Sequence, residues 1–333
     1  MEVIKSTGTE DIATVYLAQM DNGKAVEFVE SVQPPIPREK KWVIIVSTLF
    51  GCPVGCKMCD AGGDYSGKLT KGQITDQIDF LIRRRYPGGN VPAEKFKIQF
   101  SRMGEPALNS AVLDVLEELP KMYNAPGLIP SLSTIAPAGS GDFFGRLSEI
   151  KKRLYSKGKY QLQFSIHSTD IKQRDEVIPA AKWSFGEIAK YGEKFFEEGD
   201  RKLTLNFALA KDMAIDPFVL GKYFSPEKFL IKITPLNPTY KAAQNRLESF
   251  IDPQQPGPGN DNLIRKLRNA GYEVILSIGE TRENRIGSNC GQYVQKYLSS
   301  SEKLEKAYGV RFQKTSFETT AGNVRKRPAE NNA

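Results

Sequence analysis

The sequence predicts an α/β fold in which βα units repeat around a parallel sheet or a partial barrel. Two observations carry this prediction. Strand-like and helix-like patterns alternate along most of the chain, and the run WVIIVSTLF, residues 42–50, is almost unbroken apolar sequence. Such a run is typical of a strand that is buried on both faces, as in a parallel sheet. With 333 residues, 40% of them hydrophobic, the chain is long enough to form a large core.

The predicted elements follow one another in a regular order. Two β-rich runs, TVYLAQM and AVEFVESV, flank the turn Asp21-Asn22-Gly23 and predict an N-terminal hairpin. Further strands are predicted at KFKIQFSRM, PSLSTIAP, YQLQFSIHST, LTLNFALA, FLIKITPLNP and YEVILSIG, and helices at GQITDQIDFLIRRR, AVLDVLEELPKMY, FFGRLSEIKKRLY and NLIRKLRNAG. We therefore predict a hairpin extension over 1–41, one βα domain over 42–298, and a polar, disordered tail over 299–333.

Composition and charge argue against some classes of protein. No run of eighteen apolar residues is present, so we predict no membrane span, and the first residues lack the apolar stretch of a secretory signal. We therefore expect a cytoplasmic protein, in which clustered cysteines more often hold metal than form disulfides. The net charge of +8 is compatible with a nucleic-acid partner but does not establish one.

Three of the four cysteines lie within the short stretch GCPVGCKMCD. Cys52, Cys56 and Cys59 have the spacing C-x3-C-x2-C and follow the predicted buried strand, where α/β barrels place their chemistry. Three thiolates can bind three irons of a 4Fe–4S cluster and leave the fourth iron open. The alternatives are unligated thiols or a closed zinc site completed by Cys290 or His167, although such zinc sites usually draw on two compact ligand pairs.

This loop resembles the cysteine motif of the radical S-adenosylmethionine (SAM) enzymes. Later motifs extend the resemblance, in matching order over about residues 10–295, to the RlmN/Cfr family of radical SAM adenosine methyltransferases that modify 23S ribosomal RNA. SRMGEP resembles the family's GMGEP, LSTIAP its ISTSG-type strand, FSIHST its SLH, ITPLNP its IPxNP, and GETRENRIGSNCGQ its TRGDDIxAACGQ. The resemblance implies a radical SAM partial (β/α)6 barrel, a 4Fe–4S cluster on Cys52, Cys56 and Cys59, and an electron donor such as flavodoxin or ferredoxin.

The resemblance also implies a SAM site made from residues at the ends of successive strands. Its members are Gly104, Glu105, Ser133, Ser165, Ile166, His167 and Asn237. The Glu105 carboxylate is suited to binding the SAM ammonium group, and Gly104 lets the backbone approach closely. Asn237 offers both a donor and an acceptor. Each residue alone would be interpreted as a turn or interior residue, so the prediction rests on the shared order of the motifs.

Cys290, in the segment NCGQ, is implied to carry the transferred methyl group. In the family, the equivalent thiolate takes a methyl group from one SAM, and the deoxyadenosyl radical from a second SAM removes a hydrogen from it before it adds to an adenine carbon. Glu27 matches a family glutamate proposed as a proton acceptor. For Cys290 the alternative is a small buried thiol, and for Glu27 it is an ordinary solvated strand residue. The resemblance thus predicts a methyltransferase that acts on adenine in RNA.

The sequence departs from the family pattern at three points. Met58 stands where many radical SAM enzymes have an aromatic residue, and Ile45 stands where the family has the cysteine that breaks the enzyme–substrate adduct. The family's N-terminal RNA-binding helical domain has no counterpart before the cysteine loop. These departures leave open a radical SAM enzyme with another substrate, such as a nucleoside, a peptide or a metabolite. A zinc-stapled binding protein is the non-enzymatic alternative.

Overall fold

A ten-stranded mixed sheet forms the centre of the computed structural model. The structure describes residues 1–61, 63–252, 258–279, 281–288, 306–307 and 310–311. The sheet contains β1 (Glu2–Thr9), β2 (Ala13–Gln19), β3 (Ala25–Ser31), β4 (Lys41–Val46), β7 (Lys95–Phe100), β8 (Leu128–Thr134), β9 (Gln161–Ser165), β10 (Leu203–Leu209), β11 (Phe229–Pro235) and β12 (Val274–Leu276), in that spatial order. Two further strands, β5 (Leu49–Cys52) and β6 (Gly63–Lys68), form a separate antiparallel pair.

The sheet is parallel from β4 to β12 and antiparallel from β1 to β4. This confirms the predicted α/β fold with a central parallel sheet. The described part of the sheet has seven parallel strands rather than six, because the short strand β12 follows β11. Within the described residues no pairing joins β1 to β12, so the sheet is open. In such a sheet the carboxyl ends of the parallel strands share one edge.

The helices connect the parallel strands and bury the apolar face of the sheet. They are α1 (Lys71–Arg85), α2 (Ala111–Met122), α3 (Gly141–Leu154), α4 (Ile171–Val177), α5 (Phe185–Phe195), α6 (Pro217–Tyr223), α7 (Tyr240–Gln244), α8 (Pro258–Asn269) and α9 (Thr281–Ile286). A capping box formed by Thr70 and Gln73 starts α1, which buries Ile74, Ile78 and Leu81 in the main core. Among the described helices, none has the length and apolar character needed to cross a membrane.

The structure differs from the sequence prediction in its details. The run WVIIVSTLF does not form one strand: β4 ends at Val46, and β5 starts at Leu49 and pairs with β6. The N-terminal extension has an unpredicted first strand, β1, and joins the main sheet through β3 and β4. Helices α4, α5, α6, α7 and α9 were also not predicted. Apart from the antiparallel pairs at 306–307 and 310–311, the predicted disordered tail lies outside the described residues.

Candidate active site

The carboxyl edge of the parallel strands brings the predicted SAM and cluster residues to one side of the fold. Cys52 ends β5, and the other members follow or end the strands β7, β8, β9 and β11: Gly104, Glu105, Ser133, Ser165, Ile166, His167 and Asn237. Glu27 lies on β3, which adjoins the first parallel strand. Cys290 lies outside the described residues.

Gly104 allows the MGEP loop to pack directly onto the strand that leads to the cysteines. It has a φ of +97°, and a Cβ at this position would lie 2.4 Å from the Leu49 Cβ. Next to it, the Met103 carbonyl accepts hydrogen bonds from the backbone amides of Thr48 (2.8 Å) and Leu49 (3.1 Å). Only glycine combines this left-handed conformation with so close a contact. In the structure, the close approach is therefore made to β5.

Glu105 is a buried carboxylate that the protein already holds with three hydrogen bonds. Its Oε1 accepts from the backbone amide of Ala107 (3.0 Å) and from the Thr134 hydroxyl, and its Oε2 accepts from the backbone amide of Ile135 (2.9 Å). Burial raises the pKa of Glu105 to about 7, although these hydrogen bonds act in the opposite direction. A nearby cation would relieve this cost, as the SAM ammonium group can.

The three cysteine thiols share one environment with Glu105. Burial raises the pKa of the Cys52 thiol to about 11, and the charge of Glu105 adds to this shift. The pKa of Cys56 is raised well above its ordinary value, first by burial and then by the negative charges of Cys59, Cys52 and Glu105. Several acidic groups therefore meet in one partly buried site, and burial favours their protonated forms. Bound metal reverses this situation because it stabilises thiolates directly.

The three thiols of this loop have the donor chemistry that an iron–sulfur cluster uses, because a cubane cluster takes one thiolate at each of several irons. Within the part of the chain that the structure describes, no three His, Cys, Asp or Glu side chains converge on one metal position. The alternative zinc ligand His167 already uses its Nδ1 to accept the backbone amide of Ala208 (3.0 Å). Cys52, Cys56 and Cys59 form no disulfide and could each bind one iron of a cluster.

The cysteine loop is attached to the segment that contains Asn237. The Thr239 hydroxyl donates to the Met58 carbonyl (2.9 Å). The Asp60 carboxylate accepts from the backbone amides of Tyr240 (3.2 Å) and Lys241 (2.9 Å), which begin α7. These bonds join two loops that lie far apart in sequence, and they fix the turn that follows the half-buried Asn237 against the cysteine loop.

His167 is buried, and both its backbone conformation and its pKa are unusual. Its φ of 63° is a left-handed conformation that is uncommon outside glycine. Burial lowers its pKa to about 4, and the positive charge of Arg174 acts in the same direction. Because its Nδ1 accepts a hydrogen bond from the Ala208 amide, the neutral ring presents an Nε2–H donor.

We expect His167 to make the protein less stable as the pH falls. In the unfolded chain a histidine takes up its proton near pH 6.5, whereas the folded protein resists protonation down to about pH 4. The folded state therefore loses about 2 kcal/mol relative to the unfolded state between pH 6.5 and pH 5. The variant His167→Asn tolerates the left-handed backbone and does not titrate. Urea unfolding at pH 7.5 and pH 5 should show a smaller pH effect in this variant; an equal effect would contradict the assignment.

The remaining predicted SAM residues differ in how deeply their side chains are buried. Ser133 and Ser165 are half-buried, and the Ser133 Oγ accepts a hydrogen bond from Gln163 Nε2 (3.3 Å). The Ile166 side chain is fully buried in the main core. Any contact between Ile166 and a ligand would therefore use its backbone.

Glu27 and Arg102 form a buried ion pair beside this edge. Arg102 Nη2 lies 2.8 Å from Glu27 Oε1, and the two side chains are 1% and 0% exposed. The contact is an ion pair rather than a well-aligned hydrogen bond. Arg102 also donates to the carbonyls of Gly287 (2.9 Å) and Ser288 (2.9 Å). One side chain thus links the predicted proton acceptor to the segment that leads to Cys290.

Ile45 packs where the family pattern has its second reactive cysteine. It pairs with Val29 across β3 and β4 and contacts an apolar cluster. The buried members of this cluster are Ile12, Ala13, Val15, Val29 and Ile286. The position is therefore apolar and close to α9. The structure gives a packing role to Ile45 in place of a chemical one.

Sequence reasoning did not identify Arg102, Asp60 or Thr239 as site residues. Arg102 stands where the family motif GMGEP has its first glycine, and a charge directly after an apolar strand was an available signal. The roles of Asp60 and Thr239 depend on contacts across about 180 residues of sequence. No local pattern indicates such contacts.

Comparison with known proteins identifies relatives over most of the chain. No protein-family model matches it. It is 26% identical over 301 residues to a probable dual-specificity RNA methyltransferase RlmN of Thermus thermophilus, covering 88% of this chain and 78% of the relative. A relative of the same name in Pseudothermotoga lettingae is 26% identical over 308 residues, covering 90% and 81%.

A solved structure has a similar fold. A radical SAM methyltransferase from Sphaerobacter thermophilus superposes with a TM-score of 0.68 at 22% identity, covering 87% of this chain and 80% of the other. The chain is therefore a relative of the RlmN proteins with the fold of a solved radical SAM methyltransferase, as its motifs predicted.

Proposed function

We propose that this protein is a radical SAM methyltransferase that modifies adenine in RNA through a methylated cysteine. The observation that carries the proposal is the meeting of three cysteine thiols with the buried Glu105 at the carboxyl edge of the sheet. This arrangement occurs in a chain related to proteins named as RNA methyltransferases. We propose Cys52, Cys56 and Cys59 as the ligands of a 4Fe–4S cluster.

The cluster, when bound, supplies the electron that cleaves SAM. The chain contributes binding and orientation. Glu105 holds the SAM ammonium group, and its hydrogen bonds from Ala107, Thr134 and Ile135 fix its position. We assign the ribose and methionine contacts of SAM to Ser133, Ser165, the Ile166 backbone, His167 and Asn237.

Cys290 is the proposed nucleophile of the polar methyl transfer. Its thiol loses a proton, the sulfur forms a bond to the SAM methyl carbon, and the bond from that carbon to the SAM sulfonium breaks. The products are S-methylcysteine and S-adenosylhomocysteine. We propose that Arg102 positions this step, because it holds the backbone at Gly287 and Ser288. Glu27, paired with Arg102, is the proposed proton acceptor at the adenine carbon.

One observation favours a second candidate for the substrate of the enzyme. Ile45 is packed in an apolar cluster, so the described residues at that position provide no thiol to break a crosslinked adduct. A radical SAM enzyme acting on a nucleoside, peptide or metabolite is therefore the alternative. An electron donor such as flavodoxin or ferredoxin is the proposed protein partner in either case.

Incubation of the anaerobic, reconstituted protein with SAM should add one methyl group to Cys290. Peptide mass spectrometry would locate the adduct, and the variant Cys290→Ser should show none. With reductant and total RNA, 5′-deoxyadenosine and S-adenosylhomocysteine should both form, and labelled methyl should enter adenine. Deoxyadenosine without RNA labelling would favour the alternative substrate. Protein that contains zinc but neither iron nor acid-labile sulfide would contradict both candidates.

A further inference from the structure

Asn206 of β10 is a buried residue whose side-chain amide is not satisfied by the protein. It is 8% exposed, and its Oδ1 has no hydrogen-bond partner among the described residues. A half-turn of the amide would exchange its oxygen and nitrogen, and in either orientation one polar atom stays buried at that position. A buried polar atom without a partner indicates a ligand or an ordered water.

The side chain of Asn206 points away from the main core. The core residues of β10 alternate along the strand: Leu203, Leu205, Phe207 and Leu209. The residues between them, including Asn206, therefore lie on the opposite face of the sheet. On the neighbouring strand β9, Phe164 is a core residue, so Ser165 lies on the same face as Asn206.

Asn206 lies level with Ser165, which is a predicted SAM contact. The two residues are partners in the parallel register of β9 and β10. Neighbouring strands are about 4.8 Å apart, so their side chains stand next to each other. The backbone carbonyl of Asn206 also accepts hydrogen bonds from the amides of Ile166 (2.9 Å) and His167 (3.2 Å). Asn206 is thus held against the segment 165–167, which belongs to the proposed SAM site.

His167 brings a second polar group to the same place. Its Nδ1 accepts the backbone amide of Ala208 (3.0 Å), so the imidazole lies beside β10, two residues beyond Asn206. Ala208 and Asn206 share one face of the strand. A ligand at this position therefore meets the amide of Asn206, the hydroxyl of Ser165 and the Nε2–H of His167.

The amide of Asn206 suits the edge of an adenine ring. An asparagine can accept a hydrogen bond from the adenine N6 amino group and donate one to N7 at the same time. Both ligands of the proposed reaction, SAM and the acceptor, contain adenine. Hypoxanthine carries an oxygen in place of the amino group, so it would leave the Asn206 Oδ1 buried against another acceptor, which is unfavourable.

We propose that Asn206 binds the N6 and N7 edge of an adenine ring and makes the site select adenine. This inference rests on the proposed function and adds a specificity-determining residue to it. The adenine can belong to SAM or to the acceptor, because the two rings present the same edge. Ser165 and His167 lie on either side of the amide and contact the rest of the same ligand.

The test is calorimetric titration of the full, cluster-loaded protein with two pairs of ligands. Within each pair only the group at C6 of the purine differs. S-adenosylhomocysteine and S-inosylhomocysteine probe the SAM pocket. AMP and IMP, titrated into protein saturated with S-adenosylhomocysteine, probe the acceptor pocket. The unaltered protein should prefer the adenine member of at least one pair by about tenfold or more, and Asn206→Leu should remove this preference.

The pair in which Asn206→Leu removes the preference identifies the adenine that Asn206 binds. Equal affinities within both pairs in the unaltered protein would overturn the proposal, and that comparison does not depend on the folding of a variant. A preference that Asn206→Leu retains would also overturn it. The matched control is Thr204→Val, which removes a buried hydroxyl from the same face of β10 and should keep the preference.

Thermal unfolding distinguishes a ligand contact from a structural role of Asn206. Because the Asn206 Oδ1 has no partner within the described residues, Asn206→Leu should not lower the unfolding midpoint of the protein without ligand. A lower midpoint together with an unchanged base preference would assign Asn206 to the fold instead. Deoxyadenosine formation from SAM by the unaltered, reduced protein, measured separately, tests the proposed function without reference to Asn206.

Discussion

Replacing Cys56 with serine should leave the reconstituted protein without iron–sulfur absorbance and unable to form 5′-deoxyadenosine. A hydroxyl does not replace a soft thiolate as an iron ligand. Cys56 is also the central thiol of the loop, because the charges of both other cysteines act on it. Losing this one ligand should therefore remove the cluster rather than weaken it. Iron and sulfide analysis after anaerobic reconstitution measures the effect.

Cys290→Ser is the matched control for this experiment. It also removes one thiol from a chain that has four, but it should retain a full content of iron and sulfide. The two variants together separate a cluster ligand from a methyl carrier. If Cys56→Ser kept its iron, or if Cys290→Ser lost it, the assignment of the thiols would have to be revised.

Replacing Arg102 with methionine should lower the free energy of unfolding by about 3–5 kcal/mol. The change removes the guanidinium group that compensates the buried Glu27 carboxylate. Removing one partner of a buried ion pair typically lowers the free energy of unfolding by about 3–5 kcal/mol. It also removes two hydrogen bonds to the carbonyls of Gly287 and Ser288. Hydrogen exchange at the amides around residues 286–288 should increase in the variant.

A double variant distinguishes the buried charge from general damage to packing. Glu27→Gln combined with Arg102→Met removes both charges, and it should recover a large part of the lost stability. Arg153→Met is the control for loss of an arginine, because the ion pair of Arg153 with Glu117 is exposed and should contribute less than about 1 kcal/mol. Additive losses in the double variant would argue against the ion pair as the cause.

The sequence predicted the parallel sheet well because burial and alternation are local signals. The helices α1, α2 and α3 lie where apolar residues recur at helical spacing. The break between β4 and β5 was missed since every residue from Trp42 to Phe50 is apolar or small, and the turn after Val46 depends on tertiary contacts. Ser47 shows this: its hydroxyl bonds the Glu27 carbonyl, and its amide bonds the Gln77 side chain.

The members of the candidate site are a prediction from the motif order, whereas the contacts among them were not predicted. The cysteine spacing and the motif order identified residues at strand ends, and the fold places them at one edge. The contacts of Arg102 with Glu27 and Ser288 could not be predicted, because these residues lie 75 and 186 positions away from it in the sequence.

The hydrogen bonds that tie Asp60 and Met58 to residues 239–241 have a mechanical consequence. They join the cysteine turn and the start of α7 into one unit, although the two are distant along the polypeptide. We expect any shift of this turn to be transmitted to Asn237 and to the end of β11. Under the proposed function, loading of the cluster would thereby be coupled through the backbone to the geometry of the proposed SAM site.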